Sequence, residues 1–272
     1  MHYNSIIKNL CYKIHYDKII GEKLREAFKL MDKNVICVKW GTKFGAEYVN
    51  SLHRMVEKNL TIPHRFVCFT DNAEGLEEGI EVRPLPELND EGLPEKAWKK
   101  LGLFTDKLAD LEGEALFLDL DVVIRDNIDC FFEKEGEFYI IKDWDFPDDI
   151  IGNSSVFKFN VKQHKDIIEN FYKEGKDIRK RYKNEQAFLS HQMYDKGLLK
   201  YWDKSWCVSF KRSCLQPFPL NFFKVPNDPK DAKIIVFHGR PNPMQAYNGF
   251  MGKGGLRYVK PTKWLDKYWE RN

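Results

Sequence analysis

The residues best placed to do chemistry in this sequence are two carboxylates one residue apart, Asp119-Leu120-Asp121. The apolar residues Ala115, Leu116, Phe117 and Leu118 lead into them, and Val122, Val123 and Ile124 follow. Two carboxylates at the end of a buried strand can both reach one hard cation, Mg²⁺ or Mn²⁺, and hold it against a diphosphate. In an extended segment residues two apart face the same side, so both are expected at the strand's open end. His238 is a second candidate ligand. It closes a late apolar run, Ile234, Ile235, Val236 and Phe237, and precedes Gly239-Arg240-Pro241-Asn242-Pro243. A nitrogen donor on the same cation would favour Mn²⁺ over Mg²⁺. Each feature also has a plainer reading: a strand-end acidic pair facing solvent, and a histidine that caps a strand.

The elements that must position these groups follow from apolar periodicity. Residues 1–33 read as a basic, amphipathic helical leader. Val35, Ile36, Cys37 and Val38 form a buried strand that ends at the turn Gly41-Thr42. Residues 45–59 have helical spacing, and Phe66-Val67-Cys68-Phe69-Thr70-Asp71 is a second buried strand. Residues 82–94 read as an exposed loop, residues 98–110 as a helix and residues 115–120 as the next strand. This alternation predicts an α/β fold with a mostly parallel sheet whose functional groups gather at the carboxyl ends of the strands. Further strands are expected at 138–141, 155–159 and 234–237, with helices at 163–174 and 185–194. Residues 241–255, rich in Asn, Pro and Gly, read as a mobile loop. The tail, 261–272, mixes Trp264, Leu265, Tyr268 and Trp269 with Lys263, Lys267 and Arg271. It reads either as a helix packed on the domain or as one lying on an anionic membrane surface.

Together these motifs resemble the GT-A glycosyltransferases, most closely the family 8-type, LgtC- and glycogenin-like retaining enzymes. The resemblance spans about residues 35–245. Its strongest part is Phe117-Leu118-Asp119-Leu120-Asp121-Val122-Val123, matching the family's D-x-D metal motif, and it is supported by the late strand ending in His238. It implies a GT-A fold with a mixed, mostly parallel central sheet flanked by helices, in a catalytic domain over residues 34–260. It also implies Mn²⁺ (or Mg²⁺) held by Asp119, Asp121 and His238, and a nucleotide-sugar donor, a UDP-sugar. The acceptor it implies is a hydroxyl of a glycan or lipid-linked glycan. Donor contacts are expected from Val38, Gly41, Thr42 and Lys43 of the first strand and turn, and from Asp71 and Leu120. Asn153 and Ser154 fall where the family touches the donor sugar. Glu185 and Gln186 resemble the acidic-Gln pair beside the anomeric carbon and, with Asp121, are the expected catalytic set. Gly239 follows His238 directly where the family places its glycine later, so the diphosphate cation is open among Arg240, Lys253 and Lys43.

Other side chains carry weaker signals. Trp144, between Asp143 and Asp145, reads as a sugar-stacking face or an anchored surface residue. Lys99, Lys100 and Lys107 read as helix-surface lysines in preference to donor contacts. A D-x-D also suits a HAD-type phosphohydrolase with Asp119 as nucleophile, although that motif belongs on the first strand of its core. A binding module without catalysis is a further alternative, as is a nucleotidyltransferase, for which Gly41-Thr42-Lys43 is too short a phosphate loop. The net charge of +3 is too small for a nucleic-acid partner. The six cysteines form no C-x-x-C pair and read as reduced thiols. No apolar run approaches a signal-peptide core or a transmembrane span. A cytoplasmic protein is expected, with peripheral contact at the inner face of the membrane through the tail.

Overall fold

The computed structural model of the chain describes residues 33–88, 96–255 and 257–271. The expected helical leader lies outside them, apart from Lys33, which opens the first strand. The strands are β1 (Lys33–Lys39), β2 (Arg65–Thr70), β3 (Glu81–Arg83), β4 (Glu114–Leu118), β5 (Val122–Ile124), β6 (Phe138–Lys142), β7 (Gly152–Asn160), β8 (Leu199–Tyr201), β9 (Cys207–Ser209), β10 (Ile234–Val236), β11 (Phe250–Met251) and β12 (Tyr258–Val259). The helices are α1 (Ala46–Asn59), α2 (Cys130–Glu133), α3 (Lys165–Glu174), α4 (Ile178–Arg181), α5 (Glu185–Asp195) and α6 (Pro243–Asn248), with a 3₁₀ helix over Lys96–Phe104.

Seven strands form the main sheet in the order β3-β2-β1-β4-β7-β6-β8. The strands from β3 to β4 are parallel, β7 runs against both its neighbours, and β8 is parallel to β6. The sheet is therefore mixed and mostly parallel, as expected. Both of its faces are buried. Along β1, Val35 and Cys37 pack into one core while Ile36 and Val38 pack into the other. Along β4, Leu116 and Leu118 take the first side and Ala115 and Phe117 the second. This two-sided burial is why the strands read as continuous apolar runs and not as alternating ones. The α1 residues Val49, Leu52 and Val56 cover the first face. Trp98, Leu101 and Phe104 of the 3₁₀ helix, with α3 and α5, cover the second.

A second sheet of three strands, β5-β10-β9, sits beside the first. The chain enters it through Asp119-Leu120-Asp121. This segment is a turn and not a continued strand: Asp119 N–H still reaches Ser155 O at 2.9 Å, and Val122 N–H reaches back to Asp119 O. The expectation of an extended segment is corrected accordingly. The carboxylates come together because the chain switches sheets there, not because of a two-residue period.

Three further expectations change. Residues 241–255 form a capped helix and a hairpin. Asn242 accepts from Gln245 N–H while its own N–H donates to Gln245 Oε1, closing a capping box at the start of α6. The hairpin β11–β12 follows. The loop expected over 82–94 begins two residues later, at 84, because Glu81–Arg83 pairs with β2. In the tail, a 3₁₀ helix over Lys263–Lys267 buries Leu265, and Trp269 packs beside Tyr48 with ring centroids 6.1 Å apart. The tail's apolar residues are thus consumed by the core, which removes the membrane-surface reading of 261–272. Among the described residues no helix is long and apolar enough to cross a membrane. The five described cysteines are free thiols.

Candidate active site

A cavity of about 710 Å³ opens at the carboxyl ends of β1 and β4. Its first wall is Val38, Trp40, Gly41, Thr42, Lys43 and Phe44. Gly41 adopts φ +60, a left-handed turn conformation that favours glycine. Its N–H donates to Asp71 Oδ2 at 2.9 Å. Asp71 is thus a clasp for the turn and stands outside the cavity wall. Asp119, Leu120 and Asp121 form the floor, Asn153, Ser154 and Ser155 of β7 the far wall, and Asn184, Glu185 and Gln186 the rim. Asn184 accepts from Ala187 N–H at 3.1 Å, capping α5 and aiming its first turn at the cavity. His238 and Gly239 close the remaining side.

The electrostatics centre on the two aspartates. Asp121 is buried, and burial, reinforced by the charge of Asp119, pushes its carboxyl up to about 7. Lys100 answers Asp119: its Nζ lies 2.7 Å from Oδ1 and 2.9 Å from Oδ2, and it also donates to Ser154 O at 3.2 Å. Burial opposes the Lys100 charge, but Asp119 and Glu185 outweigh it and hold the ammonium above its usual range. The surface-lysine reading of Lys100 is therefore corrected. It is buried at the centre of the site, with Nζ 5.1 Å from the centroid of the Phe117 ring. From Ser154 the network continues. Its hydroxyl donates to Glu185 Oε1 at 2.9 Å, its N–H to Gln186 Oε1 at 3.3 Å, and Gln186 Nε2 donates to Asp143 Oδ2 at 3.0 Å.

Asp121, buried, and Asp119, half-buried, offer the oxygen donors that a divalent cation takes. The third expected ligand already has partners: His238 Nε2 is in hydrogen-bond contact with Ser209 Oγ at 2.7 Å, and its ring stacks on Trp144 at 5.3 Å. Trp144 is therefore occupied and is not a free stacking face. Among the described residues no three His, Cys, Asp or Glu side chains converge as a ligand set. Asp119 and Asp121 are the residues present that could hold a metal, and His238 lies in the wall of the same cavity. Burial, then Lys211, keeps the imidazole below its ordinary range and so neutral, the state a ligand needs.

The open question of the diphosphate cation divides by position. Lys43 lines the main cavity. Arg240 lines a second one, of about 330 Å³, with Lys211, Arg212 and Arg257. His238 borders both cavities. Lys253 lies in the turn of the β11–β12 hairpin, in the wall of neither. The sequence reading placed Lys100 on a helix surface and did not single out Lys211, Arg212 or Arg257. Gly239, at φ +83, is placed so that a Cβ would meet Lys211 Nζ at 3.0 Å, so the glycine lets this lysine approach the His238 turn.

This architecture is the GT-A fold. It is similar to the crystal structure of the galactosyltransferase LgtC in complex with donor and acceptor sugar analogues, with a TM-score of 0.54 and 14% identity over 86% of this chain and 94% of that one. It is equally similar to an active-site mutant of LgtC, with a TM-score of 0.57 and 15% identity over the same shares. No protein-family model and no curated protein matches the sequence. The likeness to LgtC is one of fold.

Proposed function

We propose that the chain is a metal-dependent glycosyltransferase. It moves a sugar from a nucleotide-sugar donor, a UDP-sugar, to a hydroxyl of a glycan or lipid-linked acceptor, with retention of configuration. The observation that carries this reading is one cavity of ligand size holding a carboxylate pair, two lysines and Glu185-Gln186 at the strand ends of a fold shared with LgtC.

Cleavage of the sugar–diphosphate bond builds negative charge on the leaving oxygen. A divalent cation, when bound, supplies the positive charge that stabilises it. Asp119 and Asp121 would hold that cation, with His238 as the third donor. Lys43 adds a positive charge in the wall of the same cavity. Val38, Gly41 and Thr42 offer a wall for the nucleoside, and Asn153 and Ser154 offer polar groups to the sugar. The Ser154 hydroxyl fixes one oxygen of Glu185 and leaves the other free to face the cationic sugar of the transition state. Gln186 is held between Ser154 and Asp143, which sets its amide beside that carboxylate. The acceptor hydroxyl attacks on the leaving-group face, so no protein nucleophile is required.

A phosphohydrolase using Asp119 as nucleophile has less support, because that motif belongs on the first strand of its core and here β1, α1 and β2 precede β4. The test is release of nucleoside diphosphate from a panel of nucleotide sugars with Mn²⁺. Turnover of a UDP-sugar, reduced roughly hundredfold in Glu185→Gln, is the expected result. Turnover of p-nitrophenyl phosphate that is abolished in Asp119→Ala would replace this reading with the phosphohydrolase one. Nucleotide binding with no turnover of any donor would mark a binding module.

A further inference from the structure

The acidic residues of this chain are unevenly placed. The whole sequence carries 41 Asp and Glu against 44 Lys and Arg. Yet residues 204–227 contain Lys204, Lys211, Arg212 and Lys224 and no acidic residue. Residues 232–265 contain Lys233, Arg240, Lys253, Arg257, Lys260 and Lys263, again with no acidic residue. The fold brings these two stretches together. β9 pairs with β10, Asn221 Nδ2 donates to Tyr258 O at 3.0 Å, and Lys260 Nζ donates to Phe223 O at 3.3 Å.

The same face exposes apolar side chains. Among the described residues, five of the nine exposed large hydrophobic side chains are Phe218, Leu220, Phe223, Val225 and Met251. Phe218 and Phe223 are 65% and 74% exposed. They belong to one patch. Phe218 meets Phe222 edge-on at 6.0 Å, Phe222 stacks on Tyr258 at 5.5 Å, and Tyr258 pairs with Met251 across the hairpin. Phe250 and Val259 of that hairpin also line the second cavity, beside Lys211, Arg240 and Arg257. Arg212 in its wall is paired with Asp145 at 2.9 Å.

The geometry points to an anionic lipid bilayer as the partner of this face. Exposed Phe, Leu and Met side chains beside Lys260 and beside the cavity's Lys211, Arg240 and Arg257 suit the boundary between headgroups and acyl chains. Each basic residue near an anionic leaflet adds attraction that salt weakens. A soluble protein partner would not require two long stretches free of acidic residues, whereas a surface of uniform negative charge would. The cavity between the patch and His238 is open to a headgroup phosphate. The inference stands on the patch itself and survives if the glycosyl-transfer reading fails.

The test is sedimentation of the full chain with vesicles of phosphatidylcholine alone and of phosphatidylcholine mixed with phosphatidylglycerol. Binding to the mixed vesicles only, released by high salt, is the expected result. Phe218→Ser/Phe223→Ser and, separately, Lys224→Gln/Lys260→Gln should each weaken partitioning roughly tenfold or more while UDP binding is retained. Three outcomes would overturn the proposal: no binding to anionic vesicles, equal binding to neutral ones, or unchanged binding by both variants. A dimer on gel filtration that Phe218→Ser/Phe223→Ser converts to monomer would reassign the patch to a second copy of the chain.

Discussion

At the scale of single residues, the site is organised by how Asp119 and Asp121 are compensated. Lys100 is the only ammonium in hydrogen-bond contact with either of them among the described residues. Lys100→Met should lower stability by about 2 kcal/mol in chelator, because it leaves Asp119 facing the buried Asp121. Mn²⁺ should restore part of that loss by supplying the missing positive charge. Thermal melts with EDTA and with Mn²⁺ check this, and a variant whose melting point ignores the metal would contradict it. The two carboxylates were legible in the sequence as a flanked D-x-D. Lys100 was not, because nothing in Trp98-Lys99-Lys100 distinguishes the lysine that turns inward onto Asp119 and Ser154 from one on a helix surface. Lys211 and Arg257 were hidden for a different reason. Neither lies near a motif, and only the pairing of β9 with β10 and the hairpin bring them to His238.

At the scale of elements, the terminal segment packs on α6, which follows the His238–Arg240 turn, and Thr262 N–H donates to Ala246 O at 3.0 Å. Trp269→Ala removes a ring that packs in the core beside Tyr48 and should cost about 3 kcal/mol in a denaturant titration. A tail free to lie on a membrane would cost almost nothing. Asn242→Ala opens the capping box of α6 and should cost about 1 kcal/mol, with the His238–Arg240 turn loosened in hydrogen exchange. The capping signal Asn242-Pro243-x-Gln245 was present in the sequence, but the glycines and prolines around it read as a loop. Two histidines contribute to the response to acid. Burial holds His53 of α1 and His164, which precedes α3, below the ordinary imidazole range and therefore neutral. As pH falls through about 6.5 the unfolded chain takes up protons that these two folded imidazoles refuse, so their contribution to stability should decline from about pH 7 to about pH 5, while the raised Asp121 carboxyl acts in the opposite sense. Melting points across that interval check this, and His53→Gln/His164→Gln should flatten the slope.

At the scale of the whole molecule, the parallel half was legible because β1, β2 and β4 are buried on both faces, which produces continuous apolar runs ended by polar pairs. The turn at Leu120–Asp121, where the chain leaves the main sheet for the second, was not, since Val122, Val123 and Ile124 look like the same strand continuing. That switch of sheets places Asp119 and Asp121 in one cavity with Lys43, Glu185 and His238, and the functional account depends on it. The direct test is a calorimetric titration of UDP, with GDP, CDP and ADP alongside, with and without Mn²⁺, on the wild type and on Asp121→Ala. UDP binding that requires Mn²⁺ and disappears in the variant is the predicted result. No nucleotide binding under any metal condition, or binding that Asp121→Ala leaves intact, would contradict the assignment of this cavity to a nucleotide-sugar donor.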